Sequence, residues 1–235
     1  AVSVDGFGDF ASAAWGRGSG TSLAVDGNVF FPHSLGIFYE AITRHLGFQG
    51  YGDEYKVMGL APYGSASFMR EMRQLVLLET DGGFRLGLDY FVHHRQTGGH
   101  AWGEGEPSTG QLAAASIEQL LGPARSPADE LIARHRDIAR SAQAMYEEAF
   151  FHLLRHLHDA YRLPNLSLAG GCAMNSVANG KVTRETPFRR LYVQAAAGDA
   201  GGAIGAAYSA WHRLSGSVER FRMEHAYLGP RFEPK

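Results

Sequence analysis

Leu166-Ser167-Leu168-Ala169-Gly170-Gly171-Cys172-Ala173-Met174-Asn175 reads as an apolar strand that turns at two glycines into a helix over 173–184. A second copy follows. Residues 191–194 read as strand, and Ala195-Ala196-Ala197-Gly198-Asp199-Ala200-Gly201-Gly202 leads into a helix over 200–214. Strand, glycine turn and helix, twice over, is the layout of an α/β layer whose ligand sits at the carboxyl ends of the strands. Glycines at such turns let backbone approach a ligand, and a helix start there favours phosphate. Asn175 falls near the first helix start, where its amide could bond a ribose or base. Asp199 falls at the second turn, where it could cap its helix or bind a metal beside a phosphate.

Upstream, residues 129–163 carry one apolar stripe at helical spacing, from Leu131 through Ile138, Met145, Phe150 and Leu157 to Tyr161, ended by Pro164. At the other end of the chain, strand-like segments at 1–5, 9–15 and 22–25 with glycine turns form an antiparallel meander over 1–31. Ser34 is the expected N-cap of a helix running to Gly47, and 54–60 a short helix stopped by Pro62. Residues 68–78 read as helix and 84–88 as strand. Residues 93–110, rich in Gly, His and Thr, read as a long exposed loop. The opening in mid-sheet points to the later part of a longer protein.

Composition narrows the function classes. Lys plus Arg is 22 against 24 Asp plus Glu, a net charge of −2 that carries no basic nucleic-acid footprint. With 45% hydrophobic and 20% charged residues, the chain is no disordered segment. No apolar run approaches the roughly 20 residues a bilayer requires. The single cysteine, Cys172, excludes a disulfide framework and suits the cytoplasm. Glycine, at 30 of 235 residues, gathers in clusters; Gly16 to Gly20 and Asp81-Gly82-Gly83 read as ordinary turns, the Gly170 and Gly198 clusters as functional.

Four stretches carry a resemblance: Phe31-Pro32-His33-Ser34-Leu35-Gly36, Gly52-Asp53-Glu54-Tyr55-Lys56-Val57-Met58-Gly59-Leu60-Ala61-Pro62-Tyr63-Gly64, the Gly170 turn through Asn175 to Asn179-Gly180-Lys181, and Ala195 to Gly202. The chain resembles the nodulation-protein-type O-carbamoyltransferases. The resemblance implies the later half of an actin-like, ribonuclease-H-like ATPase domain over 1–215, similar to the tRNA threonylcarbamoyl transferases. It implies a loop-rich insertion at about 93–128, and over 216–235 the start of a linker to a carbamoyl-adenylate-forming domain further downstream.

It also implies chemistry. Carbamoyl phosphate and ATP yield carbamoyl adenylate, whose carbamoyl group passes to a hydroxyl of a small-molecule or sugar acceptor at a metal site, usually iron(II). By motif, Asp199 is the catalytic metal ligand. Asp5, Gly6 and Phe7 form the phosphate-facing hairpin, Lys56 and Gly64 the ribose-side contacts, and Gly171 and Asn175 the adenosine pocket. The family's His-x-x-x-His ligand pair lies upstream of the Asp5 hairpin and is not in this sequence. The chain alone is therefore expected to bind metal poorly and not to turn over, its partners being the missing domains or a second copy.

The histidines present offer no replacement. His152 and His156 have i, i+4 spacing on a helix dense with packing residues. His93, His94 and His100 sit in the long loop, while His33 and His45 flank a helix. Cys172 has no base partner. Two other readings stand beside the first: a tRNA-modifying relative, and a nucleotide-binding remnant without chemistry.

Overall fold

In the computed structural model the described residues are 1–8, 10–95, 101–103, 106–108, 110–216, 225, 227 and 229–233. The chain starts in the centre of a five-stranded sheet. β1 (Val2–Gly8) pairs antiparallel with β2 (Ala11–Ser19), and β2 with β3 (Ser22–Phe30), giving the expected meander with longer strands. Asp9 lies outside the described residues.

Ser34 caps α1 (Leu35–His45) as expected, in extended backbone with its hydroxyl accepting from the Ile37 N–H at 3.1 Å. α2 (Glu54–Leu60) has the bounds its sequence pattern gives, and a 3₁₀ turn, Ala61–Tyr63, carries Pro62 at its second position. The helix expected over 68–78 is shorter. α3 (Met69–Leu75) gives way to β4 (Val76–Leu78), which pairs with β5 (Phe84–Leu86). An apolar Val-Leu-Leu run fits either element, and the partner strand decides it. The loop expected over 93–110 starts with a 3₁₀ turn, His93–Arg95, and contains a short hairpin of β6 (Ala101–Gly103) and β7 (Glu106–Ser108). His100 lies outside the described residues.

After the short α4 (Ile117–Leu121) comes α5 (Ala133–Tyr161), 29 residues and about 43 Å long at 1.5 Å per residue. Its start falls four residues after the expected one because the Ile132 N–H bonds back to His135 Nδ1 at 3.2 Å. Ile138, Ala142, Met145, Ala149, Phe150, Leu153, Leu154 and Leu157 are buried along one face. Tyr146 stacks on Phe150 at 5.6 Å and meets the edge of Tyr39 at 5.8 Å, tying α5 to α1. Each fully buried Leu or Phe of this stripe contributes about 2 kcal/mol, which makes α5 the spine of the core.

The closing third supplies β8 (Asn165–Ala169), a 3₁₀ turn Gly171–Met174, α6 (Ser176–Asn179), α7 (Val182–Glu185), β9 (Arg190–Val193) and α8 (Ala200–Ser215). The single helix expected over 173–184 is thus three short pieces, broken where Asn175 leaves helical geometry to cap α6 through the Ala178 N–H. The sheet order is β3-β2-β1-β8-β9, with β1, β8 and β9 parallel. It is a mixed α/β sheet that changes from antiparallel to parallel at β1. Val2, Val4, Leu166 and Leu168 bury the inward face of its centre. Among the described residues no helix is long and apolar enough to cross a membrane. Most of 216–235 lies outside the described residues.

Candidate functional site

Three parallel strands end on one edge of the sheet. Pairing of Ser3 with Ala169 and of Leu168 with Val193 sets the turn after β1, the turn after β8 and the turn after β9 side by side. Between them lies a cleft of about 400 Å³, lined among others by Ser3, Asp5, Gly170, Gln194, Gly198 and Asp199.

Asp5 joins two of these turns. Its Oδ1 accepts the Gly6 N–H and its Oδ2 the Gly171 N–H, each at 2.7 Å. The Asp5 carbonyl accepts the Ser34 hydroxyl at 2.9 Å, so the α1 cap is fastened to the same hairpin. Gly36 lets α1 lie flush there, since a Cβ on it would stand 2.7 Å from the Gly6 nitrogen. Gly170 joins the second pair of turns: its N–H donates to the Ala197 carbonyl at 2.7 Å. Its φ is +88°, and a Cβ would lie 2.2 Å from the Val4 carbonyl oxygen, so only glycine fits.

The glycine turn therefore differs from the phosphate cradle its sequence suggests. The N–H groups of Gly6, Gly170 and Gly171 all bond within the protein, and the glycines serve close backbone packing. Asp199 stands at the start of α8 without making a side-chain cap, and it is one of the residues that line the cleft. Of the two sequence alternatives for Asp199, capping is set aside. With Asp5 and Asp199 and no Lys or Arg among the lining residues, the cleft is negative.

Asn175 sits behind the turn and does not line the cleft. It is 8% exposed, and its amide pairs with that of Gln143 through two bonds of 3.1 Å. Phe7 packs on Phe31 at 5.1 Å and on His93 at 5.9 Å, away from the lining residues. Lys56 ion-pairs with Asp53 at 2.7 Å and lies over the Phe48 ring. Gly64 serves α5, where a Cβ would stand 2.1 Å from the Arg136 carbonyl oxygen. Of the residues the sequence singles out, Asp5 and Asp199 line the cleft, Gly6 and Gly171 hold Asp5 from beside it, and Phe7, Lys56, Gly64 and Asn175 lie off the cleft wall.

Other reactive side chains are committed elsewhere. His152 Nε2 meets the Glu79 carbonyl at 2.7 Å, His93 Nε2 meets the Pro32 carbonyl at 2.8 Å, and His33 Nδ1 accepts the Leu86 N–H at 3.2 Å. Burial pushes the Cys172 thiol well above its ordinary range, with the Asp5 and Glu54 carboxylates adding to it. Such a thiol is no nucleophile. Among the described residues no three His, Cys, Asp or Glu side chains converge as a metal centre. Asp199 can supply one carboxylate donor, and the described residues do not complete a metal site around it. Gln194 and Ser3 join the cleft unannounced by any motif, although Gln194 closes the strand expected at 191–194.

A family model described as Carbamoyltransferase N-terminus matches residues 1–208. The protein sll1178 of Synechocystis sp. is 40% identical over 236 residues, covering 97% of this chain and 36% of its own. Nodulation protein NolO of Bradyrhizobium diazoefficiens is 38% identical over 230 residues, covering 97% of this chain and 37% of its own. Nodulation protein NolNO of Sinorhizobium fredii is 36% identical over 230 residues, covering 97% and 30%. The chain spans about a third of the length of these curated relatives. A family match over residues 1–208 and relatives 36–40% identical over 97% of its length show that the chain belongs to the carbamoyltransferase N-terminus family.

Proposed function

We propose that this chain forms the nucleotide-side half of an O-carbamoyltransferase, a piece of an actin-like ATPase domain that holds carbamoyl adenylate, made from carbamoyl phosphate and ATP, for attack by an acceptor hydroxyl. The observation that carries this reading is the convergence of the Asp5 hairpin, the Gly170 turn and Asp199 on one cleft at the carboxyl ends of parallel strands.

The chain's own contribution is fixed geometry. Hydrogen bonds from Gly6 and Gly171 to Asp5, and from Gly170 to Ala197, hold the cleft wall in place before any ligand arrives. A wall that needs no reordering lowers the entropic cost of orienting a donor against a hydroxyl. In the transfer the acceptor oxygen bonds to the carbamoyl carbon, the bond from that carbon to the AMP oxygen breaks, and the hydroxyl proton is released to solvent. A cleft with two carboxylates and no cationic side chain repels a bare phosphate, so the nucleotide enters with a divalent cation. Asp199 is the donor we assign to a cation here, iron(II) by the family resemblance, with its other ligands coming from outside the described residues.

Calorimetric titration of the chain with AMP or ATP, with and without Mg²⁺, tests the reading. Binding that strengthens with Mg²⁺ and weakens in Asp199→Ala is expected. No heat of binding under either condition overturns it. Carbamoyl transfer to hydroxyl acceptors is then assayed in a polypeptide of the relatives' length, with the 235-residue chain alone expected to be inactive.

A further inference from the structure

One amide is enclosed in the apolar stripe of α5. Gln143 is 0% exposed, and both ends of its side chain are engaged. Oε1 accepts from the Tyr39 hydroxyl at 2.8 Å and from Asn175 Nδ2 at 3.1 Å; Nε2 donates to Asn175 Oδ1 at 3.1 Å and to Glu147 Oε1 at 2.9 Å. These four bonds saturate both N–H groups and both lone pairs of the amide.

The direction of each bond follows from a charge at the surface. Lys181 Nζ grips both oxygens of Glu147, at 2.6 and 2.7 Å. A carboxylate only accepts, so Glu147 must face the NH₂ end of Gln143. That choice turns the Gln143 oxygen toward Asn175 Nδ2. It leaves the Asn175 oxygen to accept from Gln143 and from the Ala178 N–H at 3.0 Å. One residue along α5 from Glu147, Tyr146 donates to the Cys172 carbonyl at 3.1 Å. The Gly170–Asn175 turn is therefore clamped on both sides: α5 holds it from behind, and Asp5 holds the Gly171 N–H in front.

We infer that Gln143 is a positioning residue of the cleft, the middle member of a Lys181–Glu147–Gln143–Asn175 chain that fixes the glycine turn and so sets ligand affinity at a wall none of the four touches. Its consequence for affinity rests on the reading of the cleft as a nucleotide site; its consequence for the turn does not.

The experiment separates the two. Amide hydrogen exchange is measured residue by residue on the 235-residue chain and on Gln143→Leu, followed by titration of each with AMP and Mg²⁺. Loss of the buried amide is expected to speed Gly171 and Asn175 exchange by about tenfold, the scale of one net hydrogen bond, and to weaken AMP by a similar factor. Exchange at Val4 and Leu154 is expected to speed by less than at Gly171 and Asn175, whereas a general loss of stability alone would speed all four alike. Should Gln143→Leu fail to fold, Lys181→Met at the partly exposed end of the chain takes its place. It is expected to shift the same two amides by about threefold, on the scale of a weak ion pair. Unchanged Gly171 and Asn175 exchange in a folded variant overturns the inference. Absence of AMP binding by the unaltered chain overturns the nucleotide reading and leaves the exchange result to decide the positioning role.

Discussion

Gly171 donates its backbone N–H to Asp5 Oδ2 at 2.7 Å across 166 positions of sequence, and so the first strand holds the turn that follows the eighth. The same carboxylate holds Gly6 through its other oxygen. Asp5→Asn keeps one acceptor and turns an NH₂ group toward a backbone donor. We expect it to lower stability by about 1–3 kcal/mol and to weaken AMP binding by about tenfold. Urea unfolding midpoints and calorimetry check both; a variant as stable as the parent would show that the bond to Gly171 holds nothing.

Two glycines with nearly equal φ separate backbone strain from contact. Gly52 has φ +81°, and a Cβ there would meet nothing within 4 Å, whereas Gly170 has φ +88° and the Val4 carbonyl at 2.2 Å. Gly52→Ala is expected to cost about 1 kcal/mol, the left-handed penalty alone. Gly170→Ala adds a clash with backbone that cannot rotate away, for a total above about 3 kcal/mol or loss of folding. Thermal melting of the two variants measures the difference, and equal losses would contradict the close approach.

His45 makes stability depend on pH. It is 5% exposed with its Nε2 unpartnered among the described residues, and burial, reinforced by the nearby Arg134 charge, holds its pKa down to about 4. In the unfolded chain the imidazole titrates near about 6.5. The contribution is therefore present above about pH 6.5 and lost as pH falls toward 4, because the unfolded state takes up the proton first. About 3 kcal/mol is at stake, and His33, His93 and His135, also held low by burial, act in the same direction. Urea unfolding at pH 7.5 and pH 4.5 should show the loss, and His45→Gln should flatten the slope. An identical slope in the variant assigns the effect elsewhere.

The Cys172 thiol should be inert while the chain is folded. Burial raises its pKa, and the thiolate is the reactive form. Reaction with an aromatic disulfide at pH 8 is expected to be at least about tenfold slower in buffer than in urea, as each pKa unit removes nine-tenths of the thiolate. Equal rates would place the sulfur in solvent.

Much of this architecture is legible in the order of residues. The Ser34 cap, the α2 bounds, the α5 stripe and the pairing of each glycine turn with a strand before it are local patterns, so a window of sequence contains their cause. What the windows lack is partners. Val76-Leu77-Leu78 becomes strand because Phe84–Leu86 pairs with it, against the helix its neighbours suggest. Asn175 resembles a ligand contact in its motif, yet it faces Gln143, whose single polar letter in an apolar stripe carries no signal of its own. The amides of Gly170 and Gly171 look free in the sequence and are taken by Ala197 and Asp5, contacts that exist only once distant strands lie parallel.

α8 has sixteen residues, about 24 Å of rigid rod, and none of its side chains is buried. Its first turn sits tight on the preceding loop, where a Cβ on Gly201 would meet the Ala196 oxygen at 2.0 Å, while Leu214 near the far end is 87% exposed. Nearly the whole surface of this rod therefore stays wetted, and its free energy rests on its own backbone hydrogen bonds more than on burial.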